Sequence, residues 1–233
     1  SIHSRYLMLK YLAKNRRKSA PELSNLLEEH AEKIKEWEEK IDEVNGELRK
    51  VRKELNSFEG NAARIYYKAI SEIVPERYWP TKGREYFPPP DPFNAMISFG
   101  NSIVRGVVFR MVLAAGLDPT LGFLHLIRSG RRALVLDLAE QFLVPISHLA
   151  TLKLTTSLQM DKDDWVYLPR GKVYLTDTGR RKIFEEITKI LERKVLYRGK
   201  KKEIRYVILG EARKIAKFLR GKIKEYKPFI PMW

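Results

Sequence analysis

From Ile34 onward the apolar positions fall at Ile34, Trp37, Ile41, Val44, Leu48, Val51, Leu55 and Phe58, alternating in threes and fours with Glu and Lys between them. Extended back to Leu27, that spacing predicts one amphipathic helix about eight turns long, with an apolar packing stripe and a solvated charged face. Pro75 and Pro80 stop the next helical stretch. The run Phe87-Pro88-Pro89-Pro90-Asp91-Pro92 reads as a rigid extended connector, because proline lacks the N–H that a helix needs. A long helix is expected over about 93–115, closed by Gly116 and Asp118-Pro119. Shorter helical stretches are expected over 121–127, 131–142 and, past Pro145, 146–158. After the polar break 161–164, the segments 165–168 and 173–176 flank Pro169-Arg170-Gly171-Lys172 as a short hairpin. Two basic helices, 177–197 and 203–226, then close the chain, with 199–202 as the loop between them. The pattern is mainly all-α, with one small β-hairpin near 165–176.

Composition adds the sign of the partner. The 233 residues are 44% hydrophobic, enough to bury a core, and carry 45 Lys and Arg against 29 Asp and Glu. Residues 1–164 are nearly balanced, whereas residues 165–233 hold 20 basic and 7 acidic side chains, a net of +13. So basic a C-terminal third favours a polyanion as partner. Cysteine is absent, which excludes disulfides, cysteine zinc sites and thiol nucleophiles and fits a cytoplasmic protein. Arg105 and Arg110 interrupt the most apolar run, 103–115, so no membrane span and no membrane partner are expected. The first residue is Ser1, and Arg5 and Lys10 break the apolar start, which argues against a signal peptide.

Few residues could carry chemistry. Of the four histidines, His125 stands out, because it follows Gly122-Phe123-Leu124 and precedes Arg128-Ser129-Gly130-Arg131-Arg132. A lone histidine beside an apolar stretch is either a satisfied core residue or a ligand. Asp137 and Glu140, three apart on one helical face, are the acids of an otherwise apolar and basic segment; they pair with Arg131 or Arg132, or they hold a metal. Glu59 precedes Gly60-Asn61-Ala62-Ala63, whose small side chains permit either tight helix packing or an open cavity at the carboxylate. One imidazole and several carboxylates suit Mg²⁺ or Mn²⁺, and among basic side chains such a set matches phosphodiester chemistry. No phosphate-binding glycine loop, dinucleotide fingerprint or serine elbow is present.

Four blocks resemble the CRISPR-associated adaptation nuclease and integrase family, here the Cas-one family. They are Asn56-Ser57-Phe58-Glu59-Gly60-Asn61-Ala62-Ala63, the run from Pro88-Pro89-Pro90-Asp91-Pro92 through Phe93-Asn94-Ala95-Met96-Ile97-Ser98-Phe99-Gly100, Ala115-Gly116-Leu117-Asp118-Pro119 with Leu121-Gly122-Phe123-Leu124-His125, and Leu136-Asp137-Leu138-Ala139-Glu140. Tyr226-Lys227-Pro228-Phe229 before Trp233 is similar to the family's ending. The resemblance implies that Glu59, His125 and Glu140 bind the metal, with Asp137 beside it as a further catalytic acid. It implies an enzyme that inserts short spacer DNA into a repeat array by 3′-hydroxyl attack on a phosphodiester. Its partners would be a short DNA duplex, the repeat-array target, a second copy of itself and the small second adaptation protein. Arg64, Arg84, Arg131, Arg132, Lys200, Lys201 and Lys202 are the expected DNA-binding side chains.

Family members begin with a small β-rich domain that residues 1–55 could not form, so the chain reads as a catalytic lobe without it, and reduced self-association is expected. The regions expected are 1–58, N-terminal and long amphipathic helices; 59–164, the helical catalytic core; and 165–233, the basic C-terminal region. The rival readings are a casposon-type integrase, a nuclease of branched repair intermediates, and a non-catalytic nucleic-acid-binding protein in which the acids merely pair with arginines.

Overall fold

The computed structural model describes residues 1–79, 81 and 83–230. Eight α-helices and two antiparallel strand pairs are formed among them, and 63% of the described residues are helical, so the mainly α expectation holds. Two units divide the chain: residues 1–95 with 152–176, and residues 96–151 with the segment from Asp177 onward. Pro80 and Trp233, singled out above, lie outside the described residues.

In the first unit α1 (Ile2–Arg16), α2 (Pro21–Asp42) and α3 (Leu48–Ser71) pack on one another. Their shared core holds Met8, Leu9 and Leu12 from α1, Leu27, Ala31 and Ile34 from α2, and Ala62, Tyr66 and Ile70 from α3, all buried. The single eight-turn helix expected from Leu27 to Phe58 is not formed. The chain breaks after Asp42 and passes through Gly46 at φ +129°, a conformation that residues with a Cβ rarely adopt. The stripe therefore folds back on itself. Trp37 and Phe58 meet with ring centroids 5.6 Å apart, where a straight helix would separate them by about 31 Å.

The proline-rich connector ends in a capped helix. Asp91 accepts the Asn94 amide at 2.8 Å, and Pro92 opens α4 (Pro92–Ala114) at the position where its missing N–H costs nothing. Asn94, fully buried, then ties down the preceding loop: its Nδ2 donates to the Gly83 carbonyl, and its Oδ1 accepts from Arg84 and from the Glu85 amide. The expected hairpin forms as β1 (Trp165–Leu168) and β2 (Lys172–Leu175), Trp165 pairing with Leu175 and Leu168 with Lys172. The Val173 amide fastens it to the Pro89 carbonyl at 2.8 Å.

In contrast to the sequence expectation, α4 does have the length and apolar character of a membrane span despite Arg105 and Arg110. It is a packed core helix, with Met96, Ile97, Val104, Val108 and Val112 fully buried.

Several boundaries from residue 121 onward differ from expectation. Residues 121–127 are not helical, because they form a loop gathered by a carboxylate described below. α5 (Ala133–Ala139) is short and leads through Phe142 into a π-helical turn, Leu143–His148, and then α6 (Leu149–Thr156). Pro145 does not interrupt the helical path, since the wider turn absorbs its missing donor. α7 spans Asp177–Glu192 and α8 spans Ile204–Leu219. Between them β3 (Lys194–Tyr197) pairs with β4 (Lys200–Glu203) around Arg198 and Gly199, both at positive φ, as a two-residue hairpin turn requires. Lys200, Lys201 and Lys202 thus sit on a strand rather than in a loop. The last helix stops at Leu219, seven residues short of Tyr226, because the chain turns at Gly221 with φ +65°.

Candidate functional site

Asp137 organises its neighbourhood in the second unit. One carboxylate oxygen accepts the amides of Phe123 and Leu124 at 2.5 and 3.1 Å; the other accepts the His125 amide at 3.0 Å and the His125 ring Nδ1 at 2.5 Å. Three successive backbone amides and one imidazole therefore converge on a single side chain. Burial works against the charged carboxyl, yet the bonds from the His125 ring and from the Phe123 and His125 amides outweigh it and hold the group below its ordinary pKa. Gly122 makes the approach possible: a Cβ there would sit 2.7 Å from Ala133 and from the Asp137 carboxylate. With Nδ1 donating to Asp137, the ring's lone pair is on Nε2, the nitrogen that remains for a metal or a proton.

Glu140 is half-buried at the end of α5, three residues beyond Asp137. Of the alternatives for the acidic pair, pairing with Arg131 or Arg132 does not describe Asp137, whose partners are the histidine and the loop amides. Arg132 stacks its guanidinium 4.0 Å from the Phe109 ring, and Arg131 lies in the turn after Gly130. Glu59 belongs to the first unit, on the uninterrupted helix α3. It accepts from the Ser1 hydroxyl at 2.6 Å and pairs at 3.5 Å with Arg5, itself buried. Among the described residues no three His, Asp or Glu side chains are gathered closely enough to hold a metal ion. In chemical type, carboxylate oxygens from Glu59 and Glu140 with Nε2 of His125 make a donor set that suits Mg²⁺ or Mn²⁺.

The basic side chains group in three places. Arg64 and Arg84 line one groove of about 570 Å³ in the first unit with Lys68, Tyr67 and Tyr86; the Arg84 guanidinium lies 4.4 Å from the Tyr86 ring. Arg131 and Arg132 follow the His125 loop, whose Leu121, Phe123, Leu126 and Ile127 are exposed. Lys200, Lys201 and Lys202 stand exposed along β4.

The family model described as CRISPR associated protein Cas1 matches residues 1–189. The chain belongs to the Cas1 family. A CRISPR-associated endonuclease Cas1 from Archaeoglobus fulgidus is 35% identical over 97% of this chain and 67% of its own length. Another, from Moorella thermoacetica, is 33% identical over 76% of this chain and 53% of its own. The chain thus spans between half and two thirds of these Cas1 relatives. Among solved structures, a casposase bound to its integration product matches with a TM-score of 0.79 and 26% identity, over 99% of this chain and 66% of that one. A Cas1 protein from Thermotoga maritima gives 0.72 and 25%, over 93% and 66%. The motif blocks pointed to the right family, and the nuclease class that they implied is the one the Cas1 relatives are named for. Arg5, Gln141, Glu211 and Tyr226 were not singled out for the roles they take in the structure. Each acts through a partner at least 14 residues away, a pairing that no spacing rule encodes.

Proposed function

We propose that this chain performs divalent-metal-dependent strand transfer on DNA, joining the 3′-hydroxyl of a short duplex to a phosphodiester at the border of a CRISPR repeat. The observation that carries the reading is the Asp137 clasp on His125, with Glu140 one helical turn beyond it, in a chain of the Cas1 family. Glu59, His125 and Glu140 would hold Mg²⁺ or Mn²⁺. When bound, the cation supplies Lewis acidity at the phosphoryl oxygen and lowers the pKa of the attacking hydroxyl. Asp137 fixes the His125 ring in the tautomer that offers Nε2 and holds the loop that carries it. Arg64, Arg84, Arg131, Arg132 and Lys200 to Lys202 hold phosphates in register. Water in place of the hydroxyl gives the nuclease reaction at the same residues.

The partners proposed are the incoming duplex, the repeat array, a second copy of the chain and the small adaptation protein Cas2. DNA is supported by the likeness to a casposase solved with its integration product. Cas2 follows from the family, whose members occur in solved complexes named for both proteins. The compartment proposed is the cytoplasm, where such DNA lies.

A labelled short duplex and a plasmid bearing a repeat array provide the test. Wild type is expected to join the label to the array border with Mg²⁺ or Mn²⁺ present, and Glu59→Ala and Glu140→Ala to yield no joined product. Joining that survives in Glu59→Ala overturns the assignment of Glu59. The casposase likeness favours a second reading, transfer into a target without a repeat; equal joining to plasmids with and without the array would establish it. Cleavage of branched DNA with no joining would make the chain a repair nuclease. DNA binding with neither reaction would make it a non-catalytic binder.

A further inference from the structure

Past Gly221 the chain returns over the second unit as a strap, residues 222–229, fastened by one carboxylate. Glu211 on α8 is fully buried. One of its oxygens accepts the Tyr226 hydroxyl at 2.9 Å and the Phe229 amide at 3.0 Å; the other accepts the Tyr197 hydroxyl at 2.9 Å and Lys214 Nζ at 2.6 Å. Lys214 also donates to the Lys227 carbonyl at 2.7 Å. Four donors satisfy a carboxylate that would otherwise be costly to bury. Donating one hydrogen bond to Glu211, the Tyr226 hydroxyl accepts another from Gln141 Nε2 at 2.7 Å. Gln141 is the residue after Glu140, and the ring of the next residue, Phe142, stacks on Phe229 with centroids 6.4 Å apart and 14° between planes.

We infer that this strap is a positioning element for the proposed metal centre, in which Tyr226, acting through Gln141, sets the direction of Glu140. The inference rests on the reading of Glu140 as a metal ligand. Glu140 is the last residue that regular helix geometry holds, its amide bonding four residues back to the Leu136 carbonyl at 3.3 Å, and beyond it the geometry changes. α5 ends at Ala139, the Gln141 and Phe142 amides bond three residues back, and Leu143 opens a π-helical turn. Where the helix tightens and then widens within four residues, the azimuth of each side chain depends on what holds its neighbours. Here the neighbours are held by the strap. Tyr226 of the strap also lines a cavity of about 200 Å³ together with Gln141, Phe123 and Asp137. The tail, the His125 loop and the end of α5 are thus parts of one construction.

Mn²⁺ binding to the full chain, read by electron paramagnetic resonance, tests this in Glu140→Gln, Tyr226→Phe and Gln141→Met. Tyr226→Phe keeps the ring and removes only the hydroxyl. It is expected to weaken Mn²⁺ binding about 10-fold, the lower end of the loss that follows removal of an outer hydrogen-bond partner. It lowers kcat for joining while KM for DNA stays unchanged, a split that a merely structural role would not produce. Gln141→Met leaves the bond between Tyr226 and Glu211 in place and is expected to show the same loss. The double variant should lose no more than either single one, because both cut one link. If Glu140→Gln abolishes binding while Gln141→Met binds Mn²⁺ as wild type does, the role of the strap is overturned and the metal reading stands. If Mn²⁺ binding survives Glu140→Gln, the metal reading fails, and the inference with it. Should Tyr226→Phe unfold, Gln141→Met decides alone.

Discussion

Asp137 takes two hydrogen bonds on each oxygen, and this sets what a substitution there must do. Asparagine has one acceptor oxygen, and its amide nitrogen would point a donor at donors. Asp137→Asn is therefore expected to lower stability by about 2–3 kcal/mol, the cost of losing hydrogen bonds to a charged group, measured as a shift in the urea midpoint. It should also lower the joining rate, since His125 is then free to change tautomer. Gly122→Ala attacks the same clasp sterically. Its Cβ would fall 2.7 Å from the backbone of Ala133, which cannot yield as a flexible side chain can. A loss of about 1–3 kcal/mol by overpacking is expected, read in the same unfolding experiment. That Asp137 and Glu140 belong together was legible in the sequence, because a spacing of three names a shared helical face. Their division of labour was not, because the amides that claim Asp137 lie 12 to 14 residues upstream in a loop whose shape the carboxylate itself creates.

Packing of α2 on α3 is testable through its aromatic pair. A double-mutant cycle on Trp37→Ala and Phe58→Ala should return a coupling of about 0.5–1.5 kcal/mol, the usual worth of such ring contacts, whereas one straight helix would return none. The alternation of threes and fours read correctly as an amphipathic surface and wrongly as one rod, since Val44 and Leu48 keep the rhythm on either side of the break at Gly46. Rhythm reports which face is buried; a left-handed backbone position reports where the direction changes. The second hairpin was missed for a related reason. Three consecutive lysines have little strand preference, and the turn at Arg198 and Gly199, rather than any apolar alternation, makes β4 pair. Tyr197, at the end of β3, carries a pH signature. Burial, then the Glu211 charge and the hydrogen bond given to it, push its pKa from 10.0 up to about 12. A folded value above the unfolded one means that this contribution to stability is complete below pH 10 and is lost as pH rises through about 12. Tyr197→Phe should flatten the fall of the unfolding midpoint across that window.

For the molecule as a whole the asymmetry of charge matters most, with 20 of the 45 basic side chains in the last 69 residues. If Lys200, Lys201 and Lys202 contact phosphates, replacing them with Gln should shallow the dependence of log K on log salt by about 0.9 per lost contact. An unchanged slope would place β4 away from DNA. Sedimentation equilibrium of residues 1–233 would measure self-association, and a tight dimer at low micromolar concentration would show that the helical part has its own interface. The division into two units also governs the order of events at the ribosome. The first unit comprises residues 1–95 and 152–176, and the second begins at Met96 but needs the chain from Asp177 onward. Translation therefore finishes α1, α2 and α3 early, then exports most of the other unit's first segment before β1 and β2 exist to dock on Pro89. Until residue 176 has emerged, the connector at Pro89 waits without the hairpin that covers it, and until the strap has emerged the end of α5 waits for Tyr226. Neither unit can be completed while the other is still untranslated, and the residues that hold Glu140's neighbours in place are made long after Glu140 itself.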